Sequence, residues 1–256
     1  MKPLALRDYA APLLFGIAVL AVWQFVVRLF AIQPVLLPAP SDIWSRIMLS
    51  PEMLGIDFVQ TFVYAVIPGW AVGSLAGFLV AILCDRIAFL RRGLLPLGNF
   101  VSALPMVGIA PVMVMWFGSG PGSKIAVVII MTFFPMLVNA VTGLQASGHL
   151  ERDLMRSYGA GWFTTLIKLR LPAAMPFIFN GLKINSTLAM IGAIVAEFFG
   201  SPIVGMGFRI STGAGSLSLD LVWAEIAVAA LAGSAFYGLL VVLERGVTFW
   251  HPSYRR

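Results

Sequence analysis

Four runs of this chain, residues 9–27, 58–84, 93–123 and 125–148, contain neither a charged residue nor a histidine for 19, 27, 31 and 24 positions. A helix rises about 1.5 Å per residue and a bilayer core is about 30 Å thick, so about 20 apolar residues cross it. Two further segments fit the same length: residues 177–200, with Glu197 near the end, and 221–243, with Glu225 near the start. At 60% hydrophobic and 11% charged residues, the chain carries more apolar surface than a soluble core of this size can bury. Within hydrocarbon, every backbone N–H and C=O must be satisfied inside its own segment, which selects helices for runs of this length. The sequence therefore predicts an all-α integral membrane protein. It forms one transmembrane domain over residues 1–256, with spans near 9–29, 58–84, 93–118, 124–145, 177–200 and 221–243.

Six spans put both termini on one side, and cation placement orients them. Of the 17 Lys and Arg residues, 13 fall on the side of the termini; only Arg28, Arg46, Lys124 and Arg209 fall on the other. The positive-inside rule then gives an N-in, C-in topology. The first run follows Lys2 and Arg7 like a signal peptide. It is longer than the roughly 7–15 residues of a signal h-region, so it is expected to stay as an anchor.

Small and polar residues suggest how the spans meet. Gly69, Gly73 and Gly77 recur every four positions, a stripe along one helical face that lets a neighbouring backbone come close. Pro96, Pro105 and Pro111 interrupt the third span, and each removes a backbone donor. Broken backbone at membrane depth is tolerated where it lines a cavity or is buried in protein, so this span is a candidate pathway wall. Asn99, Ser102, Asn139, Asn185, Ser186, Thr187 and Glu197 are the candidate pathway residues, with interhelical hydrogen bonding as the alternative use of the polar ones. Glu197, Asp220 and Glu225 lie toward the outer face, where they could ring a mouth or be solvated.

Several functions are excluded. The segment Gly118 to Lys124 superficially resembles a phosphate loop but lacks the GxxxxGK[ST] spacing between a strand and a helix. No nucleophile and base, metal-ligand set or carboxylate dyad stands in a plausible setting, so neither an enzyme nor a resident metal or cofactor is expected. The net charge of +6 reflects loops on one membrane face, without the aromatic platform of a nucleic-acid binder. One cysteine, Cys84, excludes an internal disulfide. Energy for any transport must come from a partner or an ion gradient. An ion-driven secondary transporter is the alternative, although the spans hold few ionisable groups for coupling.

The most basic connection, residues 149–176, reads as two short helices with a bend at Gly159. Leu150, Leu154, Met155 and Tyr158 recur at helical spacing; Trp162, Phe163, Leu166, Ile167 and Leu169 restart an amphipathic helix, and Pro172 marks its expected end. Such a pair could lie on the anionic leaflet or contact a cytoplasmic protein.

This stretch resembles the coupling motif of permease subunits of binding-protein-dependent ABC importers: EAA, three residues, Gly, nine residues, Ile, one residue, Leu-Pro. Asp153 takes the Glu position, Leu154 and Met155 the two Ala positions, Gly159 the Gly, Leu169 the Ile, and Leu171-Pro172 the ending. With Gly181-Leu182-Lys183, Ala196-Glu197, Gly205-Met206-Gly207, Leu104-Pro105 and Trp116-Phe117-Gly118, roughly residues 15–245 resemble the nitrate/sulfonate/taurine permease group. The resemblance implies a type I-like permease bundle in a bacterial inner (plasma) membrane, working as a homodimer with two cytoplasmic ATPase subunits and a periplasmic or extracellular substrate-binding protein. ATP and Mg would be bound by the ATPase. Asp153, Leu154, Met155, Arg156, Tyr158, Gly159, Leu171 and Pro172 would form the ATPase-coupling element. Expected cargo is a small solute, either sulfonate-, taurine- or nitrate-like or a heterocycle resembling a thiamine precursor.

Overall fold

The computed structural model describes residues 6–102, 104–200 and 203–249, and every element among them is helical. In chain order these are α1 (Leu6–Leu29), α2 (Pro40–Leu49), α3 (Pro51–Phe58), α4 (Ile67–Arg86), α5 (Ala88–Ser102), α6 (Met106–Phe117) and α7 (Pro121–Gln145). There follow α8 (His149–Ser157), α9 (Trp162–Thr165), α10 (Leu171–Phe199), α11 (Met206–Gly215) and α12 (Leu219–Val247). Five helical stretches are long and apolar enough to cross a membrane: Ala10–Leu29, Pro51–Arg86, Pro121–Gln145, Trp162–Phe199 and Leu219–Val247. The expected third span is instead two helices, α5 and α6, parted at Pro105. Pro105 has an extended backbone (φ −69°, ψ 106°), whereas Pro96 and Pro111 are accommodated inside their helices.

Two expected boundaries are corrected. Pro172 does not end a helix: α9, a π-helical segment (Leu166–Arg170) and α10 run on as one stretch, so the foot of the fifth long helix begins near Trp162, not at 177. The missing N–H of Pro172 falls at the start of α10, next to the widened π turn that absorbs the lost i→i−4 bond. A second π segment, Val59–Val66, precedes Pro68 and joins α3 to α4 in the same way. The short helix α2 starts at Pro40. Asp42 accepts the Ala39 N–H (3.3 Å), a first-turn carboxylate satisfying a free donor.

α7 is the centre of the bundle, packed most extensively against α4 and α10. The α4 seam is made by absent side chains: Gly69, Gly73 and Gly77 are buried, and a Cβ on Gly77 would stand 2.4 Å from the Phe133 carbonyl oxygen. In lipid no hydrophobic drive joins helices, so this approach is held by dispersion and interhelical hydrogen bonds. Asn185, fully buried, supplies two, donating to Ser74 Oγ (2.8 Å) and the Thr132 carbonyl (2.7 Å). α12 closes over α10 and α11. α1 is peripheral: Trp23 meets Trp223 edge-on at 5.0 Å, and Arg28 reaches Asp42 on α2 at 2.6 Å.

Candidate coupling and pathway surfaces

The coupling candidates sit on a helix that is anchored at its base and bare on its tip. At the α8 start the Glu151 carboxylate accepts the Gly148 N–H. Arg152 fastens the helix to the preceding turn, donating to the carbonyls of Gln145 (2.7 Å) and Ser147. The other end is a glycine stop. Gly159 has φ +70°, its N–H reaches the Arg156 carbonyl (2.9 Å), and the Ala160 N–H reaches Met155 (3.0 Å). Leu150, Leu154 and Tyr158, four residues apart on one face, are 83%, 54% and 78% exposed. Beside them Asp153 and Arg156 form an exposed pair at 3.3 Å, and Met155 is half-buried. Leu171 and Pro172, also half-buried, lie at the foot of α10, away from this tip.

The foot of α10 is held by a clamp that sequence reasoning missed. Asp85, nearly buried at the end of α4, pairs with Arg170 and accepts the Trp162 indole N–H (3.2 Å). Arg86 lies over the Trp162 ring, 5.0 Å from its centre. Asp85 ends a 27-residue uncharged run, which is a visible signal, but nothing local indicates a partner 85 positions away.

Among the described residues, the candidate pathway side chains do not gather at one surface. Asn185 faces inward between helices, and Ser186 is buried with its hydroxyl on the Lys183 carbonyl (2.7 Å). Asn139 donates to the Pro135 carbonyl (2.8 Å) and accepts from Asn180 (3.0 Å). Thr187 is exposed, on the wall of an apolar cavity of about 650 Å³ between α10, α11 and α12 that also includes Met190, Ile194 and Tyr237. The side chains of Asn99 and Ser102 lie outside the described residues.

The outer acids correct an expectation. Glu197 and Glu225 are neither solvated nor arranged as a ring; they are 1% and 0% exposed, inside a polar knot. Thr61 Oγ1 donates to Glu197 (2.9 Å) and accepts the Met206 N–H (2.9 Å), while Gly207 N–H donates to Glu197 (2.8 Å). Asp57, fully buried, accepts from the Gly205 N–H (2.6 Å) and Arg209 Nε (2.7 Å). Glu225 packs against Asp57. The knot ties the α3–α4 π segment to α10, α11 and α12. Asp220, by contrast, is partly exposed beside Arg46 at 3.5 Å. Lys124 lies in the first turn of α7, fully buried, and caps the preceding turn through the carbonyls of Ser119 and Gly120.

Among the described residues every element is helical, and the short helix α8 leaves its apolar row exposed. Residues 73–249 match the family of binding-protein-dependent transport system inner membrane components, and the chain belongs to that family. It is 30% identical to a probable ABC transporter permease protein of Haemophilus influenzae, over 85% of this chain and 88% of the relative. It is 29% identical to the formylaminopyrimidine transport permease protein of Halalkalibacterium halodurans, over 96% and 99% of the two chains. It is 28% identical to the taurine transport system permease protein of Escherichia coli, over 91% and 86%. The chain is thus an ABC transporter permease, a non-catalytic inner-membrane component of an importer, and the ion-driven alternative falls away. A binding-protein-dependent ABC system implies an ATPase and a substrate-binding protein as partners.

Proposed function

We propose that this permease works as a homodimer of six-crossing, N-in/C-in subunits, and that α8 is the lever through which the ATPase drives it. The observation carrying this reading is the bare apolar row Leu150, Leu154 and Tyr158 on a helix fastened at its base by Arg152 and stopped at Gly159. Exposed leucines on a short charged helix leave apolar area uncovered, which a protein cleft would bury at roughly 25 cal/mol per Å². The row sits on the face that the 13-to-4 cation split assigns to the cytoplasm. Asp153 and Arg156 flank it and give the docking its register.

Motion then passes along two attachments. Arg152 links α8 to the end of α7, and the Asp85, Trp162 and Arg170 clamp links the foot of α10 to α4, so the lever pulls on the three helices at the bundle's centre. Switching a bundle from 1:99 to 99:1 needs about 5.5 kcal/mol of differential binding, which ATP-driven closure of the ATPase pair would deliver through this contact. The relatives are named for formylaminopyrimidine and taurine transport, which supports a small polar heterocycle or a sulfonate-like solute as cargo. The test is complex formation between this permease and an ATPase subunit. Leu154→Glu should abolish it, and unaltered capture would remove α8 from the interface.

A further inference from the structure

Between α8 and the foot of α10 lies a cleft of about 210 Å³ lined by Arg152, Arg156, Ala160, Trp162, Thr165 and Arg170. Three of six lining residues are arginines and none is acidic. Arg152 and Arg156 stand one helical turn apart on the same face of α8. The bonds of Arg152 run to neutral carbonyls and the Ser147 hydroxyl, which aim its guanidinium without neutralising it. Arg156 meets Asp153 only at the exposed rim. Arg170 spends one terminal nitrogen on Asp85, and its Nε is buried without a hydrogen-bond partner. Arg86 adds a fourth cation behind the Trp162 ring. Four arginines against two carboxylates leave an excess of two positive charges around a cleft that the protein does not fill.

The geometry points to this cleft as a binding site for a phosphate-class oxyanion. Guanidinium forks match the oxygens of a phosphate two at a time, and Arg152, Arg156 and Arg170 all line this cleft. The cleft opens at the cytoplasmic base of a membrane-crossing helix, beside exposed Phe163 and Ile167, where the anionic leaflet presents phosphate headgroups. A phosphate held there touches both α8 and α10, so it braces the lever against the bundle. The site belongs to this chain alone, and its test needs no ATPase.

Purified full-length permease in detergent is titrated with radiolabelled orthophosphate, and separately with phosphatidylglycerol and phosphatidylcholine under native mass spectrometry. Wild-type protein should bind orthophosphate, or retain phosphatidylglycerol over phosphatidylcholine. Loss of one charge-assisted bond in Arg156→Gln, an exposed position, should weaken that binding about tenfold. Arg152→Gln with Arg156→Gln should weaken it further. Binding of orthophosphate alone identifies the free ion as the source, and preference for phosphatidylglycerol identifies a headgroup. Absence of binding by all probes, or equal binding by wild type and both variants, overturns the assignment. If no probe binds but the variants lose an ATPase subunit, the occupant is a carboxylate of that partner and the phosphate assignment is equally overturned.

Discussion

Gly77→Ala tests whether α4 and α7 are held by the absence of side chains. An alanine Cβ at this position would lie 2.4 Å from the Phe133 carbonyl oxygen, 3.0 Å from Met136 Cβ and 3.1 Å from the Leu137 nitrogen. Two of these are backbone atoms of α7, so no rotamer change relieves the contact. Restoring an ordinary separation of 3.4 Å requires the helices to part by about 1 Å. A gap of 0.5–1 Å forfeits roughly a quarter to a half of each dispersion contact along the seam. Overpacking of this kind costs about 1–3 kcal/mol. Ala also gains about 1 kcal/mol over Gly in helix propensity, leaving a net loss of about 0–2 kcal/mol. Gly238 in α12 is the control: a Cβ there would meet nothing within 4 Å, so Gly238→Ala keeps the propensity gain alone. Reversible unfolding in mixed detergent–SDS micelles, followed by circular dichroism, should place the two variants about 1–3 kcal/mol apart. Equal stabilities, or Gly77→Ala as the more stable, would refute close backbone packing as the basis of the α4–α7 seam.

Gly159→Val should insert normally yet lose most solute uptake, because no atom crowds the position and the roughly 1–2 kcal/mol cost lies wholly in its left-handed backbone (φ +70°). Gly159→Asn, which tolerates that region, should retain uptake, and equal uptake by the Val variant would show that the elbow does not need its glycine. Arg209→Ala strips the buried Asp57 of its cation and should cost about 3–5 kcal/mol in the same unfolding assay. Asp57→Asn combined with Arg209→Ala should recover part of that loss; no recovery would show that the pair is not what the single variant breaks. Asp85→Asn leaves Arg170 uncompensated and loosens Trp162, so melting temperature and ATPase stimulation should fall together. A fall in melting temperature alone would limit the clamp to stability.

Much of the fold is legible because lipid converts charge spacing directly into helix length. The predicted spans 124–145 and 221–243 correspond to Pro121–Gln145 and Leu219–Val247, and Pro105 marks where the third segment breaks. What escapes a linear reading is satisfaction at a distance. Asp57 and Arg209 are 152 positions apart, and Thr61 and Glu197 are 136 apart, so acids that look like a solvated mouth are buried in a knot. Lys124 is hidden by a different route, since carbonyls carry no signature in a sequence. Pro172 looks like a helix stop because its lost donor is visible, whereas the π turn that absorbs it is not. The elbow glycine and the apolar row of α8 are readable because both depend on residues close in sequence. The Asp85 clamp beneath them is not.

Whether energy enters this chain through the bare face of α8 is tested most directly by ATP hydrolysis in the assembled transporter. In proteoliposomes containing the permease, its ATPase subunit and the binding protein, addition of loaded binding protein should raise ATP hydrolysis with the wild-type permease. With Leu154→Glu, hydrolysis should stay at the level of the unstimulated ATPase while the permease remains folded. Full stimulation in that variant would contradict the α8 lever and place the drive elsewhere on the chain.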